Sequence, residues 1–140
     1  MSVPAVRALI GLLFIAHGLG HALTTLPLFG LRLSDTHSPD SPLVARVVGP
    51  GPARGIGVIL NLLALLAFVG AGLALPGWGL SGASWETLAL EAVVLSSVAM
   101  ALYWDAYPFV IPNKVGVAVF NALTLLSILW LRWPAGVFDG

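Results

Sequence analysis

The stretch "VPAVRALIGLLFIAHGLGHALTTL", residues 3–26, decides the fold, and within it His17 and His21 pose the functional question. About 20 apolar residues are needed to cross a hydrocarbon layer of about 30 Å as a helix. This run is long enough, and Arg7 is its one Lys, Arg, Asp or Glu. It is too long for a secretory signal and lacks a convincing small-residue cleavage site, so it reads as a retained helix. His17 and His21 lie four residues apart among apolar and glycine neighbours, where an imidazole is costly unless paired.

Composition agrees over the whole chain. Of 140 residues, 59% are hydrophobic and 9% charged, with a mean hydropathy of +1.00. Soluble domains carry about 25% charged residues, so lipid is the natural solvent for this surface. Net charge is zero and basic residues do not cluster, which argues against nucleic acid as a partner. No cysteine is present, which removes thiolate nucleophiles, disulfide exchange and iron–sulfur ligation.

Four stretches are long enough to span: residues 3–26, 56–75, 84–103 and 112–133. The first two are stopped by Pro27 and Pro76, the fourth opens at Pro112, and Pro134 follows it. Proline suits a helix's first turn. The expected fold is an all-α, four-helix membrane bundle forming one domain. Trp78, Trp85, Trp130 and Trp133 mark one face, and Tyr103, Trp104 and Tyr107 the other, as an aromatic belt requires. Four spans place both termini on one side. Arg32, Arg46, Arg54 and Lys114 lie on the loop side, against Arg7 and Arg132. That bias orients the loops toward the cytoplasm of a cell membrane.

The segment 27–55 is rich in proline, serine and glycine, which break helices. It reads either as an irregular loop or as a lid with "PLVARVV" lying in the interface. His37, beside Asp35 and Asp40, reads as a solvated loop residue.

On the first helix Arg7, Gly11, Phe14, His17 or Gly18, His21 and Thr24 share one face, while the rest is mostly Leu, Ile, Val and Ala. Ionisable groups within membranes face the bundle interior, so this face points inward. At about 1.5 Å of rise per residue, Asn61 sits level with His21 and Asn121 with His17. Thr124 follows one turn below. Glu91, with Ser84, Thr87 and Asp105 on its face, is deeper, about 18 Å from the loop side. His17, His21, Glu91, Asn61, Asn121 and Thr124 therefore form the candidate ligand-binding or proton-handling set, and His17, His21 and Glu91 the catalytic candidates. The plain alternative is interhelical bridging, worth about 0.6 kcal/mol per contact.

Two histidines at i and i+4 can chelate an ion, and Glu91 would complete a two-His, one-carboxylate set. No Glu lies between the histidines and no other intramembrane histidine exists, so a metal is not expected. Haem is disfavoured too, since two residues on one helix face cannot sandwich a macrocycle. Small-residue pairs at four-residue spacing, including Ala16/Gly20, Gly18/Ala22 and Ala67/Ala71, permit close helix approach.

The opening helix "VRALIGLLFIAHGLGHAL" resembles that of the DoxX-like family of small four-span membrane proteins, through Arg7, Gly11, Phe14, Gly18 and His21. The family often carries Lys where His21 stands and Glu where Asn61 stands. The resemblance implies a four-helix plan. It also implies kinship with proteins such as the small subunit of thiosulfate:quinone oxidoreductase or with membrane redox assemblies.

The preferred function is therefore a small subunit of a respiratory or photosynthetic redox complex, packing against partner helices and lining a quinone or lipid pocket. No cofactor motif is present. A quinone carbonyl would bond to His17 or His21, with Glu91 relaying protons. The alternative is a self-contained lipid or sterol-type isomerase, in which a Glu91/histidine pair moves a proton by general acid–base catalysis. A proton-coupled transporter ranks third, because no inverted repeat or broken helix shows.

Overall fold

The computed structural model describes residues 2–79 and 84–131, and all of the regular structure there is helical. Four helices are long and apolar enough to cross a membrane: Val3–Phe29, Pro50–Ala74, Trp85–Leu102 and Val110–Trp130. The chain is an all-α, multi-pass membrane protein. The expected end of the fourth span, Arg132 to Pro134, lies outside the described residues.

The first span comprises helix α1 (Val3–Gly20) and a tighter 3₁₀ continuation, His21–Phe29. Pro27 does not stop it, and the chain turns instead at Gly30, whose left-handed φ of 78° closes the end. The segment 27–55 is more ordered than an irregular loop. It contains helix α2 (Pro42–Val48), with the Ser41 hydroxyl accepting the Val44 N–H at 3.3 Å. The second span, α3 (Pro50–Ala74), begins six residues before the expected Ile56. Pro50 and Pro52 occupy its first turn, where no intrahelical N–H is required. Helix α4 (Trp85–Leu102) is capped by Ser84, which accepts the Thr87 N–H at 3.4 Å. The fourth span has α5 (Val115–Leu125) at its centre, between two wider π-type turns. Ile111 is extended, so this helix starts at Pro112 as expected.

Helix α3 is the centre of the bundle. It packs against α1 on one side and α4 on the other, and α4 packs against α5. Ala53, Gly57, Asn61, Ala64, Phe68 and Ala71 form its buried stripe. α1 and α3 touch backbone to backbone at Gly11 and Gly72, where a Cβ on either would lie 2.5 Å from the other's carbonyl oxygen. Of the small residues singled out by spacing, Gly18 does meet α3, whereas Gly20 has nothing within 4 Å of where a Cβ would stand.

The aromatic belt is only partly on the surface. Trp78, Trp104 and Trp130 are exposed, but Tyr103 and Tyr107 are buried, and Trp85 packs against the core. Tyr103 lies against Gly57 and donates its hydroxyl to the Ala53 carbonyl at 2.6 Å. A buried phenol finds a backbone acceptor here where a surface one would find headgroups.

His37 corrects the reading of a solvated loop residue, for it is fully buried. Its Nδ1 accepts the Leu33 N–H at 3.1 Å, and the next residue ties the loop to the far connection through Ser38 N–H donating to the Asp105 carbonyl at 2.8 Å. Arg54 latches the same loop to α3 by donating to Asp40 at 2.7 Å, which holds the Asp40 carboxyl below its usual range. Leu43 and Val47 remain exposed on α2 while Val44 packs against the Tyr103–Tyr107 cluster. This is the arrangement of a cap with one apolar face turned outward.

Two outcomes are expected. Gly72→Leu forces α1 from α3 and lowers stability by about 1–3 kcal/mol, whereas Gly20→Ala is neutral; thermal unfolding in detergent separates them. Burial lowers the His37 pKa below its usual 6.5. The unfolded chain therefore binds the extra proton first, and cap stability is full above pH 6.5 and falls as the pH drops below it. Hydrogen exchange of residues 31–48 against pH reads this directly, and His37→Gln removes the dependence.

Candidate functional site

Asn61 organises the site. Its amide nitrogen donates to the Gly57 carbonyl one turn back on α3, at 2.9 Å. A carbonyl only accepts, so the Asn61 side chain can have only one orientation, with Oδ1 turned toward the first span. There it stands 3.0 Å from His21 Nδ1 and accepts the Tyr107 hydroxyl at 3.1 Å. His21 Nδ1 must therefore carry the proton. The neutral ring then presents a bare lone pair at Nε2. That Nε2 is buried and has no hydrogen-bond partner.

His21 sits where α1 tightens into its 3₁₀ continuation, a turn also braced by Thr24, whose hydroxyl donates to the His21 carbonyl at 2.7 Å. Tyr107 arrives from the third connection, and burial pushes its hydroxyl pKa upward, so it stays a donor. The expected pairing of His21 with Asn61 is present. Tyr107 was not a candidate, because a tyrosine in an apparent interface belt carries no mark of turning inward.

His17 lies one turn away, its ring centre 5.6 Å from that of His21. It stacks on Phe120 at 4.0 Å and stands edge-on to Phe68 at 4.6 Å. Its Nε2 is also buried and unpartnered. Asn121 does not reach it. Instead Asn121 donates to Ser96 at 3.0 Å and Ser97 at 3.1 Å, forming a second polar node between α4 and α5.

Glu91 departs from the interior column in which depth had placed it. It is exposed on the outer face of α4, in a shallow hollow with Leu90, Val94 and Leu95. The reason is rotational: Ala89, Ala92, Val93, Ser96 and Ala99 take the inward face, and residue 91 falls outside that stripe. Of its expected companions, Ser84 is the helix cap and Thr87 is exposed. Asp105 faces Lys114 at 3.8 Å, whose ammonium lies 4.7 Å over the Trp104 ring. The two-His, one-carboxylate set is not assembled.

The first and fourth spans meet mainly through Phe120, which stacks on His17 and stands edge-on to Phe14. Two cavities flank this ring. One, of about 240 Å³, is lined by His17, Tyr107, Asn113 and Val117 among others. The other, of about 250 Å³, is nearly all apolar, with Ile10, Leu13, Leu123 and Ile128, and includes Thr124. The first thus carries polar side chains and the second is a hydrocarbon-lined hollow. Comparison with known proteins adds no relative: no family model, curated protein or solved structure matches the chain.

Asn61→Leu is expected to destabilise the bundle by about 2 kcal/mol or more, since it strands two donors at once. Tyr107→Phe removes one donor and leaves Asn61 bonded, costing about 1 kcal/mol. Chemical unfolding in mixed micelles tests the order; equal costs would contradict the shared-acceptor geometry.

Proposed function

We propose that the chain is a small subunit of a larger membrane assembly of the respiratory or photosynthetic redox type, housed in the cell membrane with its first and third connections on the cytoplasmic side. The observation that carries the reading is Glu91. It stands about 9 Å along α4 from Trp85 and about 16 Å from Leu102, faces outward, and meets no cation of this chain among the described residues. A carboxylate at such depth costs about 3 kcal/mol unless it is paired or protonated. A partner helix carrying a basic or hydrogen-bonding side chain at the same depth relieves that cost.

The two cavities between the first and fourth spans support the second half of the reading, a quinone or lipid pocket. Asn113 and His17 in one suit a head group, and the apolar lining of the other suits a chain of methyl-branched or straight hydrocarbon. His21 is not the donor to a quinone carbonyl, because its one N–H is committed to Asn61. The resemblance of the first helix to the DoxX-like family favours the same setting. The isomerase alternative loses its basis here, since Glu91 and the imidazoles do not share a cavity.

Gentle extraction from native membranes followed by native mass spectrometry tests the proposal. The chain is expected inside a larger assembly, and Glu91→Gln is expected to weaken that association by at least about tenfold, in line with losing one partner of a desolvated pair. Emergence alone or as a homo-oligomer contradicts it.

A further inference from the structure

Helix α2 has two unlike sides. Val44 packs against the Tyr103–Tyr107 cluster, while Leu43 and Val47, one turn apart, are exposed, Val47 to 82%. Arg46 is exposed beside them, three residues from Leu43 and so its neighbour on the helix surface. A single apolar residue on a surface is ordinary, but this connection repeats the pattern. Around the Gly30 turn Phe29 and Leu31 are exposed, Phe29 to 77%, and Arg32 follows them, also exposed. Neither Arg32 nor Arg46 enters an ion pair among the described residues, whereas Arg54 is held by Asp40. With Asp35 and Asp40 set against Arg32, Arg46 and Arg54, the connection keeps one net positive charge.

The height of α2 decides what lies against its outer side. Helix α3 has 25 residues, about 37 Å at 1.5 Å each. The hydrocarbon layer is about 30 Å thick, and about 40–45 Å with its head groups, so the ends of α3 reach the head-group layer. Only Gly49 separates α2 from the first turn of α3, and its φ of 87° turns the chain there. Trp104, next in sequence to the Tyr103 of the cluster beneath Val44, is half exposed, as an indole at head-group level is. At this height a protein partner would have to cover Leu43 and Val47 and also neutralise Arg46. The bilayer that surrounds the spans does both, with acyl chains for the first two and phosphates for the third.

We infer that α2 is an interfacial anchor: Leu43 and Val47 enter the upper acyl layer of the chain's own bilayer, and Arg46 meets a phospholipid phosphate at its rim. The Arg54–Asp40 pair and the Ser38–Asp105 bond hold the connection in place over the helix ends. Of the two sequence readings of residues 27–55, this is the lid lying in the interface. It rests on the four spans alone and stands independently of the subunit reading.

The chain has no cysteine, so one introduced cysteine carries a nitroxide label without interference. The test places the full chain, labelled at Val47→Cys, in nanodiscs of phosphatidylcholine and phosphatidylglycerol in equal parts. Collisions of the label with oxygen, which enters lipid, are compared with those of a water-soluble nickel chelate. Oxygen is expected to dominate, as at a depth of about 5–10 Å into the boundary of head groups and chains. Leu43→Cys, labelled in the same way, should report the same preference independently. Adding Arg46→Gln to the labelled Val47→Cys chain should lower the ratio of immersed to exposed label about fivefold, the worth of one basic residue at an anionic surface. Labels that nickel reaches more readily than oxygen overturn the anchor. Labels that neither reagent reaches show a protein cover, a second copy included, and overturn it as well. Unchanged immersion in Arg46→Gln overturns the phosphate contact.

Discussion

The interior of this bundle depends on where one amide is obliged to point. Asn61 must give its N–H to the Gly57 carbonyl, and that leaves its oxygen to accept from both the first span and the third connection. Polar groups buried in such an interior must find their partners within the protein, and His21 and Tyr107 both find theirs in Asn61. One side chain thus ties α3, the end of the first span and the residue 103–109 connection together. It also fixes the protonation pattern of an imidazole that composition alone marks only as unusual.

Around that node the helices are held by contact of backbones and rings. Gly11 and Gly72 let α1 and α3 touch, while Phe14, Phe68 and Phe120 fill the space further along. The result is a bundle closed on three sides. α1, α3, α4 and α5 follow one another, and among the described residues the last and the first meet mainly through the Phe120 ring. The fold offers two distinct outer features, the cavities beside Phe120 between the first and fourth spans and the outward carboxylate of Glu91 on α4. The proposed role uses these features without requiring the interior to change.

Much of the fold was legible because the membrane imposes a length. Residues 84–103 matched α4 to within a residue at each end, and Pro112 marked the start of the fourth helix. Depth along a helix was equally legible, which is why His21 and Asn61 were placed level with each other. Rotation was not. The sequence of α4 offers small residues on several faces, so nothing told Glu91's face from the Ala89, Ala92 and Ser96 face. Burial in the connections was also hidden: His37 and Tyr107 owe theirs to contacts with segments far along the chain. The Gly11–Gly72 crossing joins residues on two helices, and spacing within one helix cannot reveal it.

The central claim is that Asn61 holds His21 as the neutral Nδ1–H tautomer inside the bundle. Solid-state nitrogen NMR on histidine-labelled protein in lipid bilayers, assigned with a His21→Phe sample, measures this most directly. The account predicts a protonated Nδ1 and an unprotonated Nε2 for His21 at neutral pH. A protonated Nε2 with a bare Nδ1 would contradict it, because the Asn61 oxygen could not then be the partner facing the ring.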